Sequence, residues 1–84
     1  MQISDEVHLR HLTVDEAVIK LDKYLHDAYV SGLSRVRVIH GKGTGTLRIM
    51  VDRELSRHPL VSSYRPGGKG EGGAGVTVVE FTSK

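Results

Sequence analysis

The sequence predicts an α/β fold: a two-layer sandwich in the order β-α-β-α-β-β with a mixed sheet. Three observations lead there. Apolar residues recur at helical spacing in two stretches, 14–28 and 47–55. Four short runs are β-prone and are set off by glycines or by Pro59. With 84 residues the chain can fill one core between two layers and little more.

Each element follows from local chemistry. Residues 1–6 are polar without periodicity and read as a flexible tail or linker end. Val7-His8-Leu9-Arg10 alternates, which gives a first strand with Val7 and Leu9 facing the core. Thr13-Val14-Asp15-Glu16 has the form of a capping box, with Thr13 and Glu16 each bonding the other's backbone N–H. In the helix that follows, Val14, Ala17, Val18, Leu21, Leu25 and Ala28 form one apolar face, flanked by Tyr24 and Tyr29. Gly32 is a natural stop, because the residue after a helix often takes a left-handed conformation.

Val36, Val38 and Ile39, interleaved with Arg35 and Arg37, make the second strand. The second helix starts around residues 44–46, with Leu47, Met50, Val51 and Leu55 as its stripe. It ends near Arg57, since Pro59 biases His58 away from helix. Residues 61–65 form strand three. Residues 66–75 are a glycine-dense loop, expected to be too flexible to form an element. Residues 76–81 are the last and most β-prone strand. Strands joined through helices favour right-handed crossovers to parallel neighbours, while the last strand can pair antiparallel. Two helices pack most economically on one face of the sheet and leave the other partly open. One domain, 7–81, lies between the 1–6 tail and a short 82–84 tail.

Composition excludes several classes. There is no cysteine, so disulfides and thiolate metal sites are absent, in keeping with a reducing, cytoplasmic setting. No run has the length and apolarity of a membrane span, and no membrane partner is expected. A net charge of +2 does not by itself announce a nucleic-acid binder, so any basic patch must come from placement. There is no His-Glu-x-x-His and no Gly-x-Ser-x-Gly elbow, and no metal ligands are assigned.

The chemistry concentrates in His40-Gly41-Lys42-Gly43-Thr44-Gly45, between the second strand and the second helix. Alternate glycines let a partner approach the backbone, and N–H groups at a helix start beside a lysine suit a phosphate. The pattern is neither a Walker loop nor a dinucleotide fingerprint. A tight strand-to-helix turn is the plain alternative. His40 is a candidate general acid or base. Arg48 lies in the first turn of the second helix, Arg10 closes the first strand, and Lys69 sits in the second glycine loop. If the two loops share one end of the sheet, Lys42 and Lys69 could grip adjacent phosphates.

Residues 40–45 and the run Gly70 to Val79 (Gly-Glu-Gly-Gly-Ala-Gly-Val-Thr-Val-Val) resemble the Small MutS-Related (Smr) domain, over nearly the whole chain. The version at the C-terminus of bacterial MutS-like proteins is the most similar in pattern. The resemblance implies a fold like the C-terminal domain of translation initiation factor three. It also implies nucleic-acid binding and, in many members, endonuclease activity that nicks DNA or cleaves RNA. The parent proteins are linked to suppression of homologous recombination and to collided ribosomes. Their ATPase regions are not in this sequence, so a fragment of a longer protein is expected. Partners implied are branched or duplex DNA, RNA or the ribosome, with a divalent metal as the one cofactor cleavage could require.

The first motif departs from the family's Leu-Asp-Leu-Arg-Gly or Leu-Asp-Leu-His-Gly. Here Val7-His8-Leu9-Arg10-His11 keeps the arginine, replaces the acid by His8 and replaces the glycine by His11. Only Glu71 and Asp5 or Glu6 are placed to supply carboxylates. The expected catalytic set is Arg10, His40 and Lys42, and the nucleic-acid-binding set is residues 40–45 with Arg48 and Lys69. Three readings stay open: a nuclease, a non-catalytic nucleic-acid or ribosome docking module, and a protein-interaction domain using the open sheet face.

Overall fold

The computed structural model describes residues 3–43 and 45–83. The elements are β1 (Glu6–His8), α1 (Val14–Val30), β2 (Arg35–Ile39), α2 (Thr46–Arg57), β3 (Val61–Pro66) and β4 (Val76–Phe81), with a 3-10 turn at Gly73–Gly75 before β4. The sheet order is β1-β2-β4-β3. β1 runs parallel to β2, and β4 is antiparallel to both β2 and β3. The mixed two-layer fold is as the sequence predicts. The expectation of parallel neighbours holds for β1 and β2 but not for β2 and β3, because β4 inserts between them.

Helix α1 forms where its caps dictate. Thr13 Oγ1 accepts the Glu16 N–H at 3.2 Å, and Glu16 Oε1 accepts the Thr13 N–H at 2.9 Å, a complete capping box. At the other end Gly32 takes φ 93°. Its N–H donates to the Tyr29 carbonyl, and the Leu33 N–H donates to the Ala28 carbonyl, which closes the helix with a Schellman motif.

The helical layer packs on one sheet face. Val7, Leu9, Val36, Val38 and Val79 meet Ala17, Leu21, Leu25, Met50, Val51 and Leu55 in a single core. Leu9 extends beyond β1 but still donates its N–H to the Ile39 carbonyl at 2.8 Å. The first strand therefore starts one residue earlier than expected, and its regular pairing stops before Leu9.

The reason it stops is a turn. His11 has φ 69°, the left-handed region that a side chain adopts only with strain. A histidine thus keeps the conformation that glycine would take freely. His11→Gly is expected to stabilise the fold by about 1 kcal/mol and raise Tm by about 4–8 °C. A thermal melt with unchanged or lower Tm would show that His11 side-chain contacts outweigh the strain.

The face turned away from the helices is not an apolar docking patch. Arg35 pairs with Glu80 at 3.4 Å, Arg37 with Glu6 at 2.6 Å, and Arg65 with Glu71 at 2.7 Å. Val78 lies between Arg37 and Arg65 in register, beneath long side chains of the kind that cover apolar surface with their aliphatic stems. Of the exposed large apolar residues, Ile19, Val30 and Ile49 sit on the helices, and Tyr64 sits on β3 opposite Val79. Charge pairs on the open face remove the apolar-patch argument for a protein-interaction domain.

Candidate functional site

Strand register brings three chain segments to one end of the sheet. Ile39, the last residue of β2, pairs with His8 at the end of β1 and with Val76 at the start of β4. Arg10, the loop beginning at His40 and the glycine-rich loop before β4 therefore emerge together. The two loops are bonded directly: the N–H groups of His40 and Gly41 both donate to the Gly75 carbonyl, at 3.0 and 2.9 Å.

Glycine is demanded on one side of this contact, at Gly41, and the approach is close on the other, at Gly75. A Cβ on Gly75 would lie 3.4 Å from Gly41 Cα and from Lys42 Cγ. Gly41 has φ 83°, and a Cβ there would lie 3.4 Å from Arg10 Cγ. The Arg10 stem is thus laid over bare backbone.

The second loop is not the loose connection expected. Glu71 binds Arg65 with both oxygens, at 2.7 and 2.9 Å, and accepts the Gly68 N–H at 2.9 Å. The Glu71 N–H in turn donates to the Gly68 carbonyl, and the Gly67 N–H donates to the Val76 carbonyl. The Arg65 guanidinium, foremost, and the Gly68 N–H hold the Glu71 carboxyl at about 2, against an ordinary 4.5. A carboxylate whose folded pKa is depressed stabilises above its unfolded pKa, and the contribution is lost as pH falls through the folded value. Protection of the Gly68 amide from hydrogen exchange is therefore expected to persist above about 4.5 and to fade as pH drops toward about 2. Glu71→Gln should remove that dependence. A Gly68 amide equally protected at both ends of the range would refute the assignment.

Between the starts of the two helices lies an open cleft of about 470 Å³. Arg10, Lys42 and Arg48 line it with Thr13, His40 and the glycine loop, and no carboxylate lines it. Among the described residues these three cations have no ion-pair partner. Helix α2 opens onto the cleft behind Gly45, at φ 85°, with no side-chain cap and no acidic residue in its first turn. Its N-terminal dipole adds to the same positive field.

Of the expected site residues, Arg10, His40, Gly41, Lys42, Gly43, Gly45 and Arg48 come together here. Thr44 lies outside the described residues. Lys69 is not brought in: the Gly68–Glu71 turn carries it exposed at its tip, and it lines neither this cleft nor the pocket beside it. The cleft thus presents Lys42 without Lys69 among its lining residues.

His40, expected as a general acid or base, lines the cleft with both ring nitrogens engaged. It is 5% exposed, with Nδ1 3.0 Å from the Gly41 carbonyl and Nε2 2.9 Å from Thr77 Oγ1. A carbonyl only accepts, so Nδ1 donates, and in the neutral ring Nε2 accepts from the Thr77 hydroxyl. Both nitrogens are spent on holding the loop. Thr77 was missed from sequence, where it stands as one polar residue in an apolar strand. The Arg65–Glu71 staple left no signal there either.

Two of the carboxylates offered for a divalent metal are engaged by arginines. Glu6 is taken by Arg37 and Glu71 by Arg65. No group of three His, Cys, Asp or Glu suited to a metal occurs among the described residues. Hard cations need carboxylate or carbonyl oxygens turned toward them, and here Glu6 and Glu71 are turned toward arginines instead.

The family model described as "Smr domain" matches residues 7–82. This chain belongs to the Smr domain family. A protein named endonuclease MutS2 from Pelotomaculum thermopropionicum is 60% identical over 80 residues, which cover 95% of this chain and 10% of that protein. A protein of the same name from Clostridium tetani is 56% identical over 79 residues, 94% of this chain and 10% of its own length. The chain thus spans about a tenth of the relatives it matches. The crystal structure of the Smr domain of Thermus thermophilus MutS2 superposes with TM-score 0.90 at 47% identity, covering 93% of this chain and 98% of that one. YdaL, a stand-alone small MutS-related protein from Escherichia coli, gives TM-score 0.89 at 26% identity, covering 94% of this chain and 65% of YdaL.

In this Smr domain the altered first motif divides in two. Arg10 reaches the cleft, but His8 does not line it. His8 stands on the open face, its side chain 60% exposed and 3.3 Å from Glu6. Among the described residues no helix is long and apolar enough to cross a membrane.

Proposed function

We propose that this Smr domain binds the phosphate backbone of DNA or RNA in the cleft between the two helix starts. The observation that carries this is the cleft's charge: three cations without carboxylate partners and no acid in the lining. Phosphates are the polyanion such a site suits, and contacts of this kind position a strand without reading its sequence. Arg10, Lys42 and Arg48, with Gly41, Gly43, Thr44 and Gly45, would make those contacts. His40 would hold the loop's shape from beneath.

Phosphodiester cleavage is the finer reading, and the relatives named endonuclease support it. Arg10 or Lys42 would stabilise charge developing on the phosphoryl oxygens. A docking module without catalysis is the second reading. It is favoured by the spent nitrogens of His40 and by a cleft without carboxylates. In a longer, cytoplasmic MutS2-like protein either activity would serve branched DNA in recombination, or RNA on a stalled ribosome, alongside the parent's ATPase domains.

The test uses end-labelled branched DNA and structured RNA, with and without divalent metal. It compares the natural chain with His8→Asp and His40→Ala. Binding that weakens with salt is the expected result, and no binding to either substrate would overturn the proposal. Cutting by the natural chain decides for a nuclease. Binding without cutting decides for docking, and cutting gained by His8→Asp would identify the lost group.

A further inference from the structure

The phosphate cleft has a neighbour. On the open face of the sheet, at the same end, lies a second pocket of about 600 Å³. It shares Arg10, Gly41, Lys42 and Gly43 with the phosphate cleft, so one loop forms the wall between the two. Its apolar lining is Ile39 and Val76, side by side in the antiparallel register. Gly72 and Gly75 add bare backbone, and Gly72 has no room for a side chain. A Cβ on Gly72 would fall 2.3 Å from Val76 Cγ2, and one on Gly75 would touch Gly41. Arg37 and Glu71 complete the rim.

We propose that this pocket takes an unpaired base from the strand whose phosphate lies between Arg10 and Lys42. The inference rests on the phosphate reading and adds a class of substrate: strands with at least one nucleotide out of the stack. The pocket falls within the roughly 300–1,000 Å³ of small-ligand sites. An apolar floor flanked by glycine backbone suits a planar ring, and arginine planes at the rim stack on bases. The shared cations place a phosphate next to that ring, which favours a nucleotide over an uncharged apolar ligand. Glu71 accepts three hydrogen bonds, two from Arg65 and one from Gly68. Its remaining lone-pair position can accept from a base N–H, which a phosphate oxygen cannot provide. A base held in a duplex has its faces stacked and its pairing edge occupied, so it cannot enter.

The experiment measures binding of two fluorescent duplexes by anisotropy, one fully paired and one with a single unpaired 2-aminopurine. The natural chain should prefer the unpaired substrate by roughly tenfold, as burial of about 60 Å² of apolar base surface would give. The 2-aminopurine emission should change on binding. Ile39→Ser should bring the preference to about one and abolish the emission change, and Ile39→Val should restore both. Arg37→Gln should lower the preference without altering the floor. Arg48→Ala touches only the phosphate cleft and should weaken both substrates with their ratio kept. Equal affinities in the natural chain would overturn the base pocket and leave the phosphate reading standing. A preference that survives both Ile39→Ser and Arg37→Gln would also overturn it, by placing the base elsewhere. Failure to bind either duplex would overturn the phosphate reading and this inference with it.

Discussion

Replacing Arg10 and Lys42 together with alanine is expected to flatten the salt dependence of nucleic-acid binding by nearly two units of log–log slope. Each cation that neutralises a phosphate releases counterions worth about 0.9 of a unit, so each single variant should lose about one. At about 0.1 M salt the lost counterion term for two charges amounts to roughly sixtyfold in affinity. The loss should be the same for every sequence, because backbone contacts read none. Arg53, also on α2 but lining neither cleft nor pocket, is the control and should leave the slope unchanged. Titrations over a range of salt concentrations provide the check. A double variant with the natural slope would remove these side chains from the interface.

His40→Ala should act first on stability. The substitution deletes a buried ring and strands two partners, the Gly41 carbonyl and the Thr77 hydroxyl. Together these cost about 2–4 kcal/mol, enough to lower Tm by about 8 °C or more at about 4–8 °C per kcal/mol. Thr77→Val leaves the cleft lining intact but takes away the partner of Nε2, and should cost about 1–3 kcal/mol. If His40 positions the loop, both variants lose binding in step with their folded fraction. Thermal unfolding read beside binding well below each Tm separates the two effects. A His40→Ala protein that melts like the natural chain yet fails to cut would restore the proton-transfer role.

Local signals in the sequence were faithful where the physics is local. Thr13 with Glu16, Gly32 and Pro59 set the helix ends because capping and φ restrictions act within a few residues. Strand order is not local. The clue to it was burial on both faces of β4, where Val76, Thr77, Val78 and Val79 are all buried, since a central strand reads as a continuous apolar run. Most of the cleft was legible because parallel β1 and β2 end together, which places Arg10 beside residues 40–43. The placement of Lys69 was not, because the Arg65–Glu71 staple that turns it outward joins residues six apart across a loop. The burial of His40 depends on Thr77, thirty-seven residues away, and no spacing rule reaches that far.

The insertion of β4 has a kinetic consequence. β3 pairs with no strand other than β4 among the described residues, and the first glycine loop hangs its two N–H groups on Gly75. As the chain leaves the ribosome, β1 and β2 can meet early, but β3 must wait unpaired. Closing the centre of the sheet last makes the slow, long-range step of folding also the step that assembles the binding loops. A nascent chain without β4 lacks a settled anchor for the first glycine loop, whose His40 and Gly41 N–H groups donate to the Gly75 carbonyl, so that loop takes its final shape only once the sheet is complete.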